Sequence, residues 1–342
     1  MFIGTCPVRI SFAGGGTDLP EYYEYFGGCV LGTTINKFTY VVIHPRTDKF
    51  FQSFSPDFQK YYKPKRFNKI EIEDGTEISS AIIKYLNYED GLDVILCSDV
   101  PAGSGLGASS SLAVNFINTL NFINGKKLNS KKIAETAFQI ERDILNWPMG
   151  KQDEYLTSFG GLQFFEFRQN HVMSKKIKIN KKTRSELEKN LLLFFIGKTR
   201  KSSSILEKQI KKTQDKNKKT LNSLHFVKNL AESLYDSLNN SDITKFGELL
   251  HDGWNAKKNF SSNVTNQKID YIYDYALKNG AIGGKITGAG GGGHLLLYCK
   301  EKKQKQLIEK LQKKGLTYIP FSFYNKKPQV INLSKFLGGT NG

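Results

Sequence analysis

Three glycine-rich segments of this 342-residue chain, each beside an apolar run, carry residue types suited to holding phosphate or hydroxyl groups. The central one is Pro101-Ala-Gly-Ser-Gly-Leu-Gly-Ala-Ser-Ser-Ser111, set between the short apolar run Asp93–Cys97 and a helical pattern. Glycine lets the backbone turn tightly and approach a ligand with no Cβ in the way. A helix starting just behind such a loop points free N–H groups into it, and the two together make a phosphate site. Pro101, Gly103, Ser104, Gly105, Leu106, Gly107, Ala108, Ser109 and Ser110 are the candidate cradle. Ser109, Ser110 and Ser111 are placed to cap the helix, and one of their hydroxyls could also reach a magnesium ion. Two better-known loops are excluded. Gly103, Gly105 and Ala108 match Gly-x-Gly-x-x-Ala, but a dinucleotide fold needs a ribose-binding acid at a strand end about 20 residues on. Here that stretch, Leu120 to Lys127, is the end of a helix. A Walker loop needs Gly-Lys-Ser/Thr, and no lysine lies between Pro101 and Leu120.

The N-terminal segment, Pro7-Val-Arg-Ile-Ser-Phe-Ala-Gly-Gly-Gly-Thr-Asp18, runs a strand straight into three glycines and an aspartate. Such a loop can bring backbone and a carboxylate against sugar hydroxyls. Arg9 stands inside an otherwise apolar strand, where an arginine needs a carboxylate or phosphate partner. The third segment, Gly283-Gly-Lys-Ile-Thr-Gly-Ala-Gly-Gly-Gly-Gly293, precedes the apolar run His294–Tyr298. So many glycines are costly in folding entropy, which points to close approach to a ligand or another backbone. His294 reads as a packed histidine. Glu141 and Asp153 lie on either side of the Pro148–Gly150 break. Two carboxylates on different elements can divide metal binding and proton abstraction in phosphoryl transfer, although spacing alone leaves them ordinary surface acids.

The elements that must position these groups are legible in part. Val8–Phe12, Val30–Ile35, Phe38–Ile43, Leu162–Phe167 and Leu191–Ile196 read as strands. Leu112, Phe116, Leu120 and Ile123 recur at helical spacing, and Ile133, Ala137, Ile140 and Ile144 define a helix over 131–145. Residues 45–75 show no periodicity. Lysines crowd at 170–190, where a domain boundary is expected. Beyond it the chain is helix-rich, with one long amphipathic stretch over 204–237 and a core-facing helix through Ile269, Ile272, Tyr273, Ala276 and Leu277.

Fifty lysines and arginines against 32 acids give a net charge of +18. The basic residues are scattered, as in Lys175–Lys182 and Lys211–Lys219, rather than interleaved with aromatics into a nucleic-acid footprint. A solvated basic surface with anionic substrates is the reading preferred. No apolar run approaches the roughly 18–20 residues of a membrane span, and no signal peptide is read at the N-terminus. The scattered cysteines, Cys6, Cys29, Cys97 and Cys299, favour a reducing compartment. A cytoplasmic protein without nucleic-acid or membrane partners is expected, with room left for a homodimer.

In this order, Pro7–Asp18, Pro101–Ser111 and Gly284–Gly293 resemble the motifs of the GHMP kinases, named for galactokinase, homoserine kinase, mevalonate kinase and phosphomevalonate kinase, and the likeness covers nearly the whole chain. The resemblance implies an α+β, two-domain fold. Its N-terminal domain, residues 1–185, would be like part of a ribosomal protein and carry the phosphate loop. Its C-terminal domain, residues 186–342, would be ferredoxin-like, with the site between the two. It implies ATP and magnesium, with the central loop on the triphosphate, Ser109 and Glu141 on the metal, Asp153 as base at the acceptor hydroxyl, and Arg9 stabilising that aspartate and the transferring phosphate. Gly14, Gly15, Gly16, Thr17, Asp18, Gly288, Gly290 and Gly291 would line the acceptor side. Where many members have Ser-Ser-Ala, this chain has Ser-Ser-Ser after Ala108, which leaves Ser109 and Ser110 both open as the metal ligand.

The Gly14-Gly-Gly-Thr-Asp18 form lacks the Gly-Glu-His-Thr-Asp signature of galactokinase. With Gly197-Lys-Thr-Arg200 and Leu250-His-Asp-Gly-Trp254, it looks like the branch that phosphorylates the anomeric hydroxyl of D-glycero-D-manno-heptose 7-phosphate for bacterial surface polysaccharides. A sugar that already bears a phosphate needs cations, and Lys198, Arg200, Ser202 and Ser203 are the candidates. The alternatives are a kinase of an unphosphorylated sugar such as fucose or galactose, and a non-catalytic nucleotide- or sugar-binding member.

Overall fold

The computed structural model describes residues 1–73, 75–177, 179–197 and 202–338. Among these residues the strands are β1 (Phe2–Ala13), β2 (Gly28–Pro45), β3 (Phe50–Ser55), β4 (Lys60–Arg66), β5 (Leu92–Ser98), β6 (Gln163–Arg168), β7 (His171–Lys176), β8 (Leu191–Phe195), β9 (Ala281–Ile286), β10 (His294–Cys299), β11 (Thr317–Ile319) and β12 (Gln329–Asn332). One sheet runs β12-β1-β2-β5-β3-β4, with β6 and β7 branching from β2. The second runs β11-β8-β10-β9 and is antiparallel throughout. Numbered within itself this order is 4-1-3-2, and with helices before β9 and after β10 it is the ferredoxin-like arrangement.

Burial explains which strands could be read from the sequence. From Cys6 to Ala13 every residue of β1 is buried, because helices cover both faces of the sheet there. Val30–Ile35 and Phe38–Ile43 prove to be one strand. Asn36 and Lys37 interrupt the apolar run without ending β2, since β1 pairs across them with a register shift between Pro7 and Arg9. The unperiodic 45–75 region holds the hairpin of β3 and β4 at the open edge, where Phe54 and Tyr61 face solvent.

Two helical expectations are corrected. The stretch over 204–237 is two helices, Ser202–Gln214 and Lys218–Asn239. Between them Lys216 takes a positive φ of 51°, and the Asn217 side chain caps the second by accepting from Thr220 N, a strong local start signal. The helix expected over 131–145 is α-helical from Ser130 to Gln139 and then widens into a π turn, Ile140–Ile144. That turn carries Glu141 into the interior.

Helices Lys218–Asn239 and Ile243–Lys257 join the two sheets. Leu230, Leu234 and Phe246 pack with Val8, Ile10 and Phe12 of β1 and Leu296 of β10 in one core, with Phe12 and Phe246 edge to face at 5.2 Å. This rigid joint leaves the glycine segments of both halves facing one another.

Candidate active site

Strand β5 delivers the central loop, and helix Ala108–Ile123 begins directly behind it. The N-cap is Gly107, in the left-handed region with φ 71°, and no side chain caps the helix. The expectation that a serine caps it is therefore corrected. Gly107 takes that position because its missing Cβ leaves room for the Arg9 guanidinium, which an added Cβ would approach to 3.1 Å. The first N–H groups of a 16-residue helix are left free toward the cleft, as an anion site requires.

The cleft measures about 450 Å³. Gly103, Ser104, Gly105, Gly107, Ala108, Ser109 and Ser110 line it from the loop, Gly15, Gly16 and Asp18 from the N-terminal segment, Gly288 from the third, and Arg9 and Asp153 from between. Ser104 Oγ and Ser11 Oγ are buried there with no partner, which suits an oxygen-rich ligand such as a nucleotide phosphate.

Arg9 and Asp153, 144 residues apart, meet in a fork. Arg9 Nε donates to Asp153 Oδ1 at 2.7 Å, Nη2 to Oδ2, and Nη1 to the Gly105 carbonyl at 2.6 Å. The arginine is 3% exposed and the aspartate 21%, so the ion pair is anchored from behind while the carboxylate still reaches the cleft. Bidentate pairing of this kind fixes orientation as well as charge.

Asp18 is almost fully buried and accepts from Gly16 N at 2.8 Å and Gln152 N at 3.1 Å. Burial pushes its carboxyl up to about 6. The two N–H bonds work against that shift, and the Asp153 charge adds to it.

Several expected contacts are corrected. Leu106 is a core residue with no exposure, and its carbonyl accepts from Arg9 N at 3.0 Å. Pro101 is exposed at the start of the loop's turn, off the cleft wall. Thr17 is buried with its hydroxyl donating to the carbonyls of Gly14 and Cys29, so it braces the loop instead of facing a ligand. Gly14 serves that brace, since an added Cβ would lie 1.8 Å from Cys29 O. Gly290 and Gly291 pack against the 263–264 backbone, and Gly291 N donates to Val264 O at 2.8 Å. Gly288 and Thr287 brace the loop itself, where a Cβ on Gly105 would meet Thr287 O at 2.6 Å. His294 is packed, with Nδ1 at 2.9 Å from the Ser104 carbonyl.

The serine beside Glu141 is Ser110, with Oγ 3.3 Å from Glu141 Oε1 and 3.3 Å from Glu154 Oε1. Ser109 is exposed on the cleft wall, because adjacent helical residues point about 100° apart. Both glutamates are fully buried and interact with one another, and among the described residues neither Oε2 meets a donor. Burial, followed by the neighbouring carboxylates for Glu154, pushes both carboxyls up. Hard oxygen ligands with unsatisfied lone pairs suit a magnesium ion. Among the described residues no three His, Cys, Asp or Glu side chains converge on a metal position, so phosphate oxygens and water would complete such a site, as magnesium prefers.

Lys198 and Arg200 lie outside the described residues, as does the side chain of Ser202, which begins helix Ser202–Gln214. The sequence reading missed Lys257, Lys285, Gln152 and Gln209 on the wall. Lys285 stood in plain view inside the third glycine segment, and Lys257 stands three residues after Trp254, one helical turn on from a segment already singled out.

The family description "GHMP kinases N terminal domain" matches residues 76–161, and "GHMP kinases C terminal" matches residues 230–316. A D-glycero-alpha-D-manno-heptose 7-phosphate kinase of Campylobacter jejuni subsp. jejuni serotype O:2 is 34% identical over 323 residues, which is 93% of this chain and 95% of that protein. An L-fucokinase/L-fucose-1-P guanylyltransferase of Bacteroides fragilis is 26% identical, covering 90% of this chain and 35% of that protein. The crystal structure of a D-glycero-D-manno-heptose 1-phosphate kinase from Bacteroides thetaiotaomicron superposes with a TM-score of 0.81 at 24% identity, covering 97% of this chain and 99% of that one.

Proposed function

The chain belongs to the GHMP kinases and is a sugar kinase that uses ATP, and on that premise we propose that it phosphorylates the anomeric hydroxyl of D-glycero-D-manno-heptose 7-phosphate to give the 1,7-bisphosphate. The observation that carries the reading is the Arg9–Asp153 fork on the wall of a cleft whose other side is a helix N-terminus. Asp153 takes the proton of the acceptor hydroxyl as it attacks the terminal phosphate, and Arg9 holds the carboxylate aimed. Gly103, Ser104, Gly105, Gly107 and Ala108 cradle the triphosphate with backbone N–H groups. Gly15, Gly16 and Asp18 meet the sugar hydroxyls. Glu141 holds magnesium, with Ser110 beside it and Ser109 on the open wall. The ion would supply neutralisation of phosphate charge there.

Lys198, Arg200 and Ser202 are assigned to the phosphate the sugar already carries. The two domains divide near residue 185, and the reaction belongs in the cytoplasm, in the making of nucleotide-activated heptose for surface polysaccharide. The likeness to an L-fucokinase over 90% of this chain favours a second reading, transfer to the anomeric hydroxyl of an unphosphorylated sugar.

The test is incubation with ATP, magnesium and the heptose 7-phosphate, read by phosphorus NMR. A new anomeric phosphate signal together with ADP is expected. Turnover of fucose or galactose, with the heptose phosphate left untouched, would replace the first reading by the second.

A further inference from the structure

Two cations on the cleft wall lack a carboxylate of their own. Lys257 closes helix Ile243–Lys257, and Lys285 lies in β9. They are 8% and 7% exposed. Lys257 Nζ donates to the Gly288 carbonyl, and Lys285 Nζ donates to the Phe12 carbonyl at 3.0 Å. Among the described residues neither forms an ion pair. Arg9, the third cation of the cleft, is already committed to Asp153. A carbonyl orients an ammonium group but does not neutralise it, and burying an unpaired charge is expensive. Burial, then the Arg9 charge, pulls the Lys257 ammonium down to about 8. Lys285 is held well below its usual range by burial, then by Lys257 and Arg9. Each lysine thus feels at least one other cation, in a cleft whose walls also carry glycine backbone, serine, Asp18 and Asp153.

We propose that Lys257 and Lys285 together receive the oxygens of a phosphoryl group at the Asp153 end of the cleft. The inference rests on the kinase reading and deepens it. Phosphoryl oxygens could come from the terminal phosphate of ATP or from the phosphate already on the sugar. The backbone favours the nucleotide. Gly288, which Lys257 holds, packs on the loop so closely that an added Cβ would lie 2.6 Å from Gly105 Cα. Lys257 lines the same cleft as Asp18 and Asp153 and feels the charges of both, as a group meeting the phosphoryl oxygens beside Asp153 would. A lysine serving only to tie Gly288 or Phe12 in place would need no positive charge.

The test is binding, without turnover, of four ligands in the presence of magnesium: ADP, the non-hydrolysable imido analogue of ATP, the heptose 7-phosphate and the unphosphorylated heptose. Titration calorimetry is run on wild type, Lys257→Met and Lys285→Met. Each variant is expected to lose about tenfold or more in affinity for the ATP analogue, with ADP and both sugars bound as in wild type. If the loss falls instead on the heptose 7-phosphate and spares the free heptose, the site stands and its occupant is the sugar's phosphate. Folded variants that bind all four ligands normally, or lose all four alike, overturn the proposal while leaving the kinase reading intact. A wild-type protein that binds none of them overturns both. Should the methionine variants not fold, the ¹³Cε resonances of Lys257 and Lys285 in wild type, assigned by Lys→Arg substitution, must shift with the ATP analogue or the heptose 7-phosphate. Resonances that stay fixed with both would equally dispose of the idea.

Discussion

Asp153 has two oxygens and Arg9 holds both, so the carboxylate keeps its direction without ligand. Asp153→Asn preserves the shape and removes the base. We expect kcat to fall by about 10²–10⁴-fold while the ATP analogue binds as before, which calorimetry beside a coupled ADP assay would show. A variant that turns over at the wild-type rate would remove Asp153 from the proton transfer. Asp18 makes a different prediction. Its folded pKa, about 6, lies above the ordinary 3.8, so folding favours the protonated form and the wild-type chain loses stability as pH rises between those values. The full loss is on the order of 3 kcal/mol. Asp18→Asn carries no such term. The melting temperature of the variant relative to wild type should therefore climb from pH 4 to pH 6, and a constant difference would contradict the buried carboxylate. Arg9 stood out in the sequence because an arginine in an apolar strand needs a counter-charge, whereas Asp153 was singled out only by the family resemblance. The sequence did not disclose Lys257, because in a chain with 50 basic residues nothing local marks which lysine is buried. Thr17, by contrast, looked like a ligand contact and is a brace, since only the fold brings the Cys29 backbone to its hydroxyl.

Among the elements, the central loop and the third glycine segment work as one part. Gly105 and Gly288 each have positive φ; a Cβ on Gly288 would meet the Gly105 backbone, and one on Gly105 would meet Thr287. Gly105→Ala adds a Cβ to a left-handed residue and drives it toward Thr287 O. The cost should be roughly 2–4 kcal/mol of stability, with nucleotide affinity falling alongside it. Gly288→Ala should cost a similar amount, because its Cβ is driven against the Gly105 backbone across the same interface. The double variant should then be less unstable than the two losses added together, since the second Cβ enters an interface already forced apart. Urea denaturation of the four proteins checks this, and strict additivity would mean that the two segments do not share a packing surface. Glycine content announced both segments in the sequence, but not that they touch, because their contact depends on how the two sheets are joined. The same holds for the π turn at Ile140–Ile144. Its apolar spacing is that of an ordinary helix, and the bond from Leu145 N to Ile140 O at 3.0 Å that widens the turn leaves no mark on that spacing. The hairpin of β3 and β4 was hidden for the opposite reason. At an open edge solvent accepts either kind of side chain, so no alternation was imposed on the residues.

The whole molecule carries an excess of positive charge, +18, and its cleft holds buried cations of its own. Both ligands of the proposed reaction are anions, and a positive surface raises their rate of encounter beyond what contacts inside the cleft supply. Exposed charges are screened over about 10 Å at 0.1 M salt, whereas groups sealed in the cleft are screened far less. The two contributions can therefore be separated. Raising monovalent salt from about 20 to 200 mM should lower kcat/KM for the sugar phosphate several-fold and leave kcat close to unchanged, because the chemical step involves groups that bulk ions do not reach. An unphosphorylated sugar accepted by the same enzyme should show a much flatter kcat/KM, having no charge to steer. If the two sugars responded alike, the lysine-rich surface would have no part in capturing substrate, and the basic composition would be a matter of solvation alone. A parallel fall in kcat would instead locate the salt-sensitive charges at the reacting phosphate, and would direct attention back to Arg9, Lys257 and Lys285.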